Sequence, residues 1–462
     1  MGKAREQPVS QWDRYQPDDD SPWNLRRVVH LHRRAGFAAT WAELARDLKD
    51  GPEAAIERLL DGKACDSPVG NEFEAIAGLL GDAVVASDNP PRLKAWWLYR
   101  MLFSPDPLAE RLALMWHNHF ATSNRKVQSV ALMREQNDVF RRLGRGRFGE
   151  LVIAVVKHPA MLVWLDADSN RKEHPNENLA RELMELFTLG VGNYTENDVK
   201  EAARALTGWT VRSGEFREVP EYHDLLPKTI LGQTGDFAGD DLLRMLLGHA
   251  ATSGRLARRI CELLMGDGVA GDEALDELGA GLREHDLNVG WAIETVLRSN
   301  AFFSEANIGS RVQGPMEFMV GAARALELFD PPPSTLLLAE WGATLGQDLF
   351  HPPTVFGWTG GRGWINTRSV IARTNFAGAL ADGSLSNPSH PPDLPALARR
   401  RGAASDPDGL LGFFAKLLFG VEDAGELSQT VGTALAESNE VTLDSAGRLV
   451  AALLGSSRAQ LA

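Results

Sequence analysis

Cysteine is scarce in this chain. Its 462 residues hold two, Cys65 and Cys261, so one disulfide is available, whereas a disulfide framework and a cysteine zinc knuckle are not. Long apolar runs are missing too. Residues 410–419 come closest, but they are too few to cross a bilayer and Lys416 interrupts them. The first residues contain no apolar segment of the secretory kind, and Glu6 does not suit a myristoylation start at Gly2. On that reading the protein is expected to be soluble and cytoplasmic, with no membrane span. Basic charge is also in deficit. Against 62 Asp and Glu stand 48 Lys and Arg, a net charge of -14, which argues against a nucleic-acid surface. The short basic clusters at 141–147 and 399–401 read as solvated helix ends. Several catalytic signatures are absent: the Gly-x-Ser-x-Gly elbow, a dinucleotide fingerprint after a strand, His-Glu-x-x-His, and the haem-binding Cys-x-x-Cys-His.

Helical periodicity is what the chain has in abundance. Hydrophobic residues make up 44% and charged residues 24%, ordinary values for a globular protein whose length allows one large domain or two. After a polar arm (1–20), residues 21–62 read as two helices. One opens on a Thr40/Glu43 capping box and the next on Pro52. Helical spacing recurs at 93–103, 107–120, 130–158, 240–266, 273–298, 315–328, 407–419 and 444–455. Alternation of period two is confined to residues 209–232. There Thr210–Arg212 and Glu215–Arg217 flank Ser213-Gly214 as a β-hairpin, and 228–231 offers a further short strand. The expected fold is all-α, a large multi-helical domain with a small β-hairpin insertion near residues 209–232. Residues 21–375 form its body, and 376–462 a C-terminal helical extension packed on it.

Residues 158–209 carry the densest chemistry. At about 100° per residue, Glu177, Arg181, Glu185 and Thr188 share one helical stripe, with Asn178 and Glu182 beside it. Leu179, Leu183, Leu186 and Phe187 take the core side. Gly190 stops this helix, and Thr195 with Asp198 caps the next. The charged stripe reads either as i, i+4 surface pairs or as converging carboxylates of a site. His117 and His119 are candidate metal ligands if the helix ends before them; on a continuous helix, i and i+2 face different ways. His223 and Asp224, followed by Lys228, read as an oriented imidazole or as a self-bonded turn. Arg33 and Arg34 suit an anion or, by preference, neighbouring acidic helices. The loop holding Gln347, Trp358, Gly360, Gly361 and Trp364 is not a phosphate loop; its tryptophans suit burial or a sugar platform.

Several segments together resemble one bacterial family. Asn176-Glu177-Asn178, Ala180-Arg181-Glu182, Thr188-Leu189-Gly190, Tyr194-Thr195 and Thr207-Gly208-Trp209 carry the resemblance. So do residues 30–37, Trp116-His117-Asn118-His119-Phe120, His223-Asp224 with Lys228, Pro315 with Glu317, Gly346-Gln347 and Gly357-Trp358. Over residues 25–375 the chain resembles the family catalogued as "domain of unknown function 1800". With the residue pattern, this points to Glu177, Arg181, Glu182, Glu185, His223 and Asp224 as catalytic candidates. His117 and His119 are the metal candidates, with a divalent metal as the candidate cofactor. The resemblance also implies a neighbour, because such genes commonly lie beside a group similar to the alkaline phosphatase/sulfatase superfamily. Two expectations follow: an enzyme with a Glu-, His- and Asn-rich site, or a non-catalytic scaffold or maturation partner of that neighbour. Family members commonly look exported, so export in complex with a partner is a further expectation.

Overall fold

Helical spacing becomes helix at nearly every stretch named above. The computed structural model describes residues 10–65, 69–266, 268–386, 388–404, 406–435 and 441–462. The first nine residues of the expected arm therefore lie outside the described residues. Within 10–20 the chain is held down: Tyr15 is buried and its N–H donates to the Arg298 carbonyl at 2.7 Å, and the Trp12 indole donates to Ala274 O at 2.9 Å.

The fold is all-α, with small β-hairpins as its sheet structure among the described residues. Residues 21–62 give three helices, not two: Leu25–Ala35, Trp41–Asp50 and Pro52–Leu60. The first escapes a search for apolar runs because His30, His32 and Arg34 are themselves buried on it. The Thr40/Glu43 capping box and Pro52 at the following N-terminus stand as expected. The strand Trp209–Arg212 pairs antiparallel with Glu215–Glu218, placing Thr210 opposite Arg217. Lys228–Ile230 does not join that hairpin but pairs with Gln233–Gly235.

One contiguous core runs through the helices, with Trp97, Trp116, Phe120, Phe140 and Phe148 fully buried. Trp116 stacks on Phe120 and Phe148, and Phe120 on Phe140, so aromatic faces fix the helix Pro107–His119 against its neighbours. At the far end of the chain, Leu443–Gly455 packs along Thr367–Ala381. Ala462 and Arg311 exchange backbone hydrogen bonds, which ties the last residues to the same body. Both cysteines are buried and free.

The basic cluster at 141–147 is a solvated helix end only in part: Arg142 and Arg147 are exposed, whereas Arg141 and Arg145 are engaged. Arg141 clasps the buried Glu110 with bonds of 2.7 and 3.0 Å, and Arg145 pairs with Asp106. Among the described residues, no helix is long and apolar enough to cross a membrane.

Candidate functional site

The helix Pro107–His119 is pre-set by Pro107 at its first turn and by Asp106, whose carboxylate accepts from Ala109 N at 3.0 Å. It runs unbroken through both histidines, so they diverge. His117 lies among Trp97, Phe140, Phe350 and Trp358, where burial pushes its imidazole down to about 3. His119 faces the other way, among Trp116, Phe120, Phe148 and Phe187. Its Nε2 lies 3.2 Å from the Phe187 carbonyl, which can only accept. Nε2 therefore carries the proton, and Nδ1 is the lone-pair nitrogen. Burial, then Arg259 and Arg255, hold His119 far below the usual histidine range, so the ring is neutral.

The central helix starts as expected, but its second half does not keep the α period. Asn178–Glu182 is α-helical and Leu183–Thr188 is π-helical. The extra residue in each hydrogen-bonded ring turns Thr188 inward, where its hydroxyl donates to the Leu183 carbonyl at 2.6 Å, and leaves Leu186 half-buried. The stripe expected from Glu177 to Thr188 is thus split. Arg181 reaches forward and pairs with Glu196 through two bonds of 2.8 and 2.9 Å. Glu185 instead accepts from the Tyr194 hydroxyl at 2.6 Å; burial and that carboxylate push the phenol up to about 12. Glu182 is half-buried, and burial with Glu185 beside it raises its carboxyl. Glu177 is half-buried one turn earlier. Gly190 ends the helix at φ +83°.

His223 and Asp224 stand at the foot of the β insertion, where Gly208 N donates to the Asn170 carbonyl at 3.2 Å and the Asn170 amide oxygen accepts from Asn176 N at 2.9 Å. His223 Nδ1 donates to Thr207 O at 2.9 Å. Asp224 accepts from Arg204 at 2.7 Å and from Leu226 N at 2.9 Å, while Lys228 Nζ donates to the carbonyl oxygens of Asp224 and Leu226. This is a turn closed on itself. Among the described residues, no three His, Cys, Asp or Glu side chains converge as a metal requires. The histidine pair, the carboxylate stripe and the His223–Asp224 turn therefore do not meet as one metal-ligating cluster. Arg34 bonds Asn307 O at 2.8 Å and Ser310 Oγ at 3.1 Å, and Arg33 reaches the Leu418 and Ala459 carbonyls. Their direct partners are thus carbonyls and hydroxyls, not the acidic helices expected.

What gathers around His119 is a different set. The helix Ala250–Leu264 turns Leu256, Ile260 and Leu264 to the core and carries Arg255, Arg258, Arg259 and Glu262 on the opposite face. These line a cavity of about 200 Å³ with Asn118, His119, Leu186, Val355 and Phe356. A second cavity, of about 450 Å³, shares Asn118, Arg259 and Glu262 and continues to Arg111, Arg311, Glu317, Gln347, Gly360, Gly361 and Trp364. Arg255 donates from Nε to the Leu186 carbonyl at 2.9 Å, so Arg255 and His119 take neighbouring carbonyls of the π-helical turn. Among the described residues Arg255 has no ion-pair partner, and burial with the adjacent Arg259 holds it below the usual arginine range. Arg259 lies 3.6 Å from Glu262. Arg111 and Arg311 both pair with Glu317, the latter at 2.6 Å. Burial raises the Glu317 carboxyl, and the two guanidiniums more than offset that and lower it. Two carboxylates thus face five guanidiniums in a chain whose net charge is -14.

This arginine face was open to sequence reasoning and was missed. Residues 255, 258, 259 and 262 follow the i, i+3, i+4, i+7 spacing of one helical stripe, but a charged stripe opposite leucines is the ordinary look of a surface helix. The loop across the cleft is held by Asn118, whose Oδ1 accepts from Trp358 N at 2.7 Å.

The chain matches the model of the family described as "Protein of unknown function (DUF1800)" over residues 30–461. It belongs to the DUF1800 family. The match runs well past residue 375, so the last helices of this DUF1800 protein lie within the family region. No curated protein and no solved structure matches it.

Proposed function

We propose that this DUF1800 protein binds a small anionic ligand in the arginine cleft, with the neutral His119 among the groups that surround it. The observation that carries this is the crowding of Arg255, Arg259 and His119 around one cavity with Glu262 as the carboxylate among its lining residues. Like charges packed together cost stability unless an anion relieves them, and planar guanidinium forks match carboxylate or phosphate oxygens. In the smaller cavity the net charge favours an anion, and the neutral imidazole beside it leaves Nδ1 as an uncharged hydrogen-bond acceptor. A π-helical turn at the site fits the same reading, since such turns recur where function needs a displaced backbone.

Glu185 enters this proposal as a neighbour of the site, on the turn that His119 and Arg255 grip, with Glu182 directly before that turn. His223 and Asp224 enter it as a support for the β insertion. A divalent metal and a phosphatase/sulfatase-like partner stand as proposals carried only by the resemblance. Calorimetric titration with inorganic phosphate and sulfate tests the reading, alongside NMR of histidine resonances with His119→Gln as the assignment. Expected are saturable binding and a shift of the His119 signal, both lost in Arg259→Gln. An absence of binding by phosphate, sulfate and carboxylates alike would overturn it and leave the scaffold reading in its place.

A further inference from the structure

Hydrogen-bond polarity in the cleft says more about the ligand than charge alone. Asn118 lies where the two cavities meet, and Gln347 lines the larger one. The Asn118 amide oxygen accepts from the Trp358 backbone N–H at 2.7 Å, and the Gln347 oxygen accepts from the Met316 N–H at 3.0 Å. A backbone N–H can only donate, so both amide orientations are settled by the main chain. Each side chain thereby keeps its NH₂ group for another partner. Among the described residues neither amide nitrogen has one. The smaller cavity adds Arg255, without an ion-pair partner among the described residues, and the larger adds Arg111 and Arg311, which share the single carboxylate of Glu317. Amide N–H groups without a hydrogen-bond partner among the described residues thus line both cavities, which share a wall at Asn118, Arg259 and Glu262.

We infer that the two cavities are one site for an elongated ligand bearing acidic groups at both ends, one held at Arg255 and the other beside Gln347. This rests on the anion reading above and adds span to it. A compact anion would satisfy one end only and leave the donors of the other to water. Phosphate and carboxylate share the needed chemistry, acceptor oxygens at a planar or tetrahedral head.

The test compares probes of equal charge and different length. Sulfate and a six-carbon dicarboxylate both carry two charges, and tripolyphosphate supplies the phosphate arm, each titrated calorimetrically into the full chain at fixed ionic strength. We expect the dicarboxylate or tripolyphosphate to bind at least tenfold more tightly than sulfate, with the tighter of the two identifying the head group. Gln347→Glu and Asn118→Asp keep the oxygen that the backbone N–H needs and replace the donor with a second acceptor. Each should weaken the long anion at least tenfold while leaving the melting temperature near wild type. Gln347→Glu should leave sulfate binding at the Arg255 end unchanged, and Arg255→Gln should weaken both. Equal affinity for sulfate and the long anions, with Gln347→Glu silent, would overturn the two-ended ligand and leave the anion site standing. Failure of the wild type to bind any probe would instead overturn the anion reading itself.

Discussion

Gly357 stands so close to Asn118 that a methyl group on it would fall 2.1 Å from the Asn118 amide oxygen. Its φ of +81° is also one that other residues adopt only under strain. Gly357→Ala should therefore push Asn118 and the Trp358 loop apart and cost about 1–3 kcal/mol. Denaturant unfolding measures the loss. A change below about 0.5 kcal/mol would mean that the loop can yield without disturbing Asn118.

Leu183 and Leu186 were expected to share the core face, and the π-helical turn separates them. Leu183 is fully buried and Leu186 half-buried. Leu183→Ala should cost about 2–5 kcal/mol and Leu186→Ala under about 2 kcal/mol. Equal losses would return the segment to a regular α-helix.

Glu110 is buried beneath Arg100 at 2.9 Å and Arg141 at 2.7 Å, and also accepts from the Trp97 indole at 3.1 Å. Two guanidiniums draw its carboxyl down against a burial effect that raises it. Glu110→Gln should destabilise the fold by about 1.5–3 kcal/mol, because it removes the buried carboxylate between two guanidiniums and leaves them only the more exposed Glu74 and Asp138 as counter-charges. Unfolding in high salt should show the same deficit, since a pair out of reach of solvent is little screened.

Acid should loosen one helix start in a way a single substitution reveals. His158 caps Pro159–Trp164 by accepting from Ala160 N through Nδ1 at 3.2 Å, and burial pushes its imidazole down to about 4. The folded form thus resists a proton that the unfolded chain takes up near about pH 6.5. Above that pH neither state is protonated and the group has no effect on stability. Below it the unfolded state gains the proton first, and stability is lost at up to about 1.4 kcal/mol per pH unit until about pH 4. Asparagine caps without titrating. His158→Asn should match wild type at pH 7.5 and overtake it between pH 6.5 and pH 4, as read from denaturation midpoints at each pH. Parallel pH profiles for the two proteins would refute the cap's role.

The sequence revealed far more of the scaffold than of the cleft, and the reasons are physical. Caps such as Thr40 with Glu43 and Thr195 with Asp198 are local, so three residues suffice to read them. The turn at Asp224 was legible for the same reason. The hydrogen bond from Trp358 to Asn118 spans 240 residues, and no periodicity encodes it. The histidine pair turned on a single question, where one helix ends, which propensity answers poorly to within a residue or two. The arginine face at 255, 258, 259 and 262 was visible as a stripe; only its neighbours across the cleft mark it as more than surface.

The wide turn at Leu183–Thr188 acts as a phase shift between two rulers. Before it, the helix addresses Glu196 through Arg181; within it, the Leu186 and Phe187 carbonyls address the arginine helix and His119. A single rod of uniform pitch could not serve both neighbours. Shortening the segment by one residue would put the two halves back in step and swing those carbonyls away from Arg255 and His119. The latch on the cleft is thus counted in residues, and length matters there more than side-chain identity.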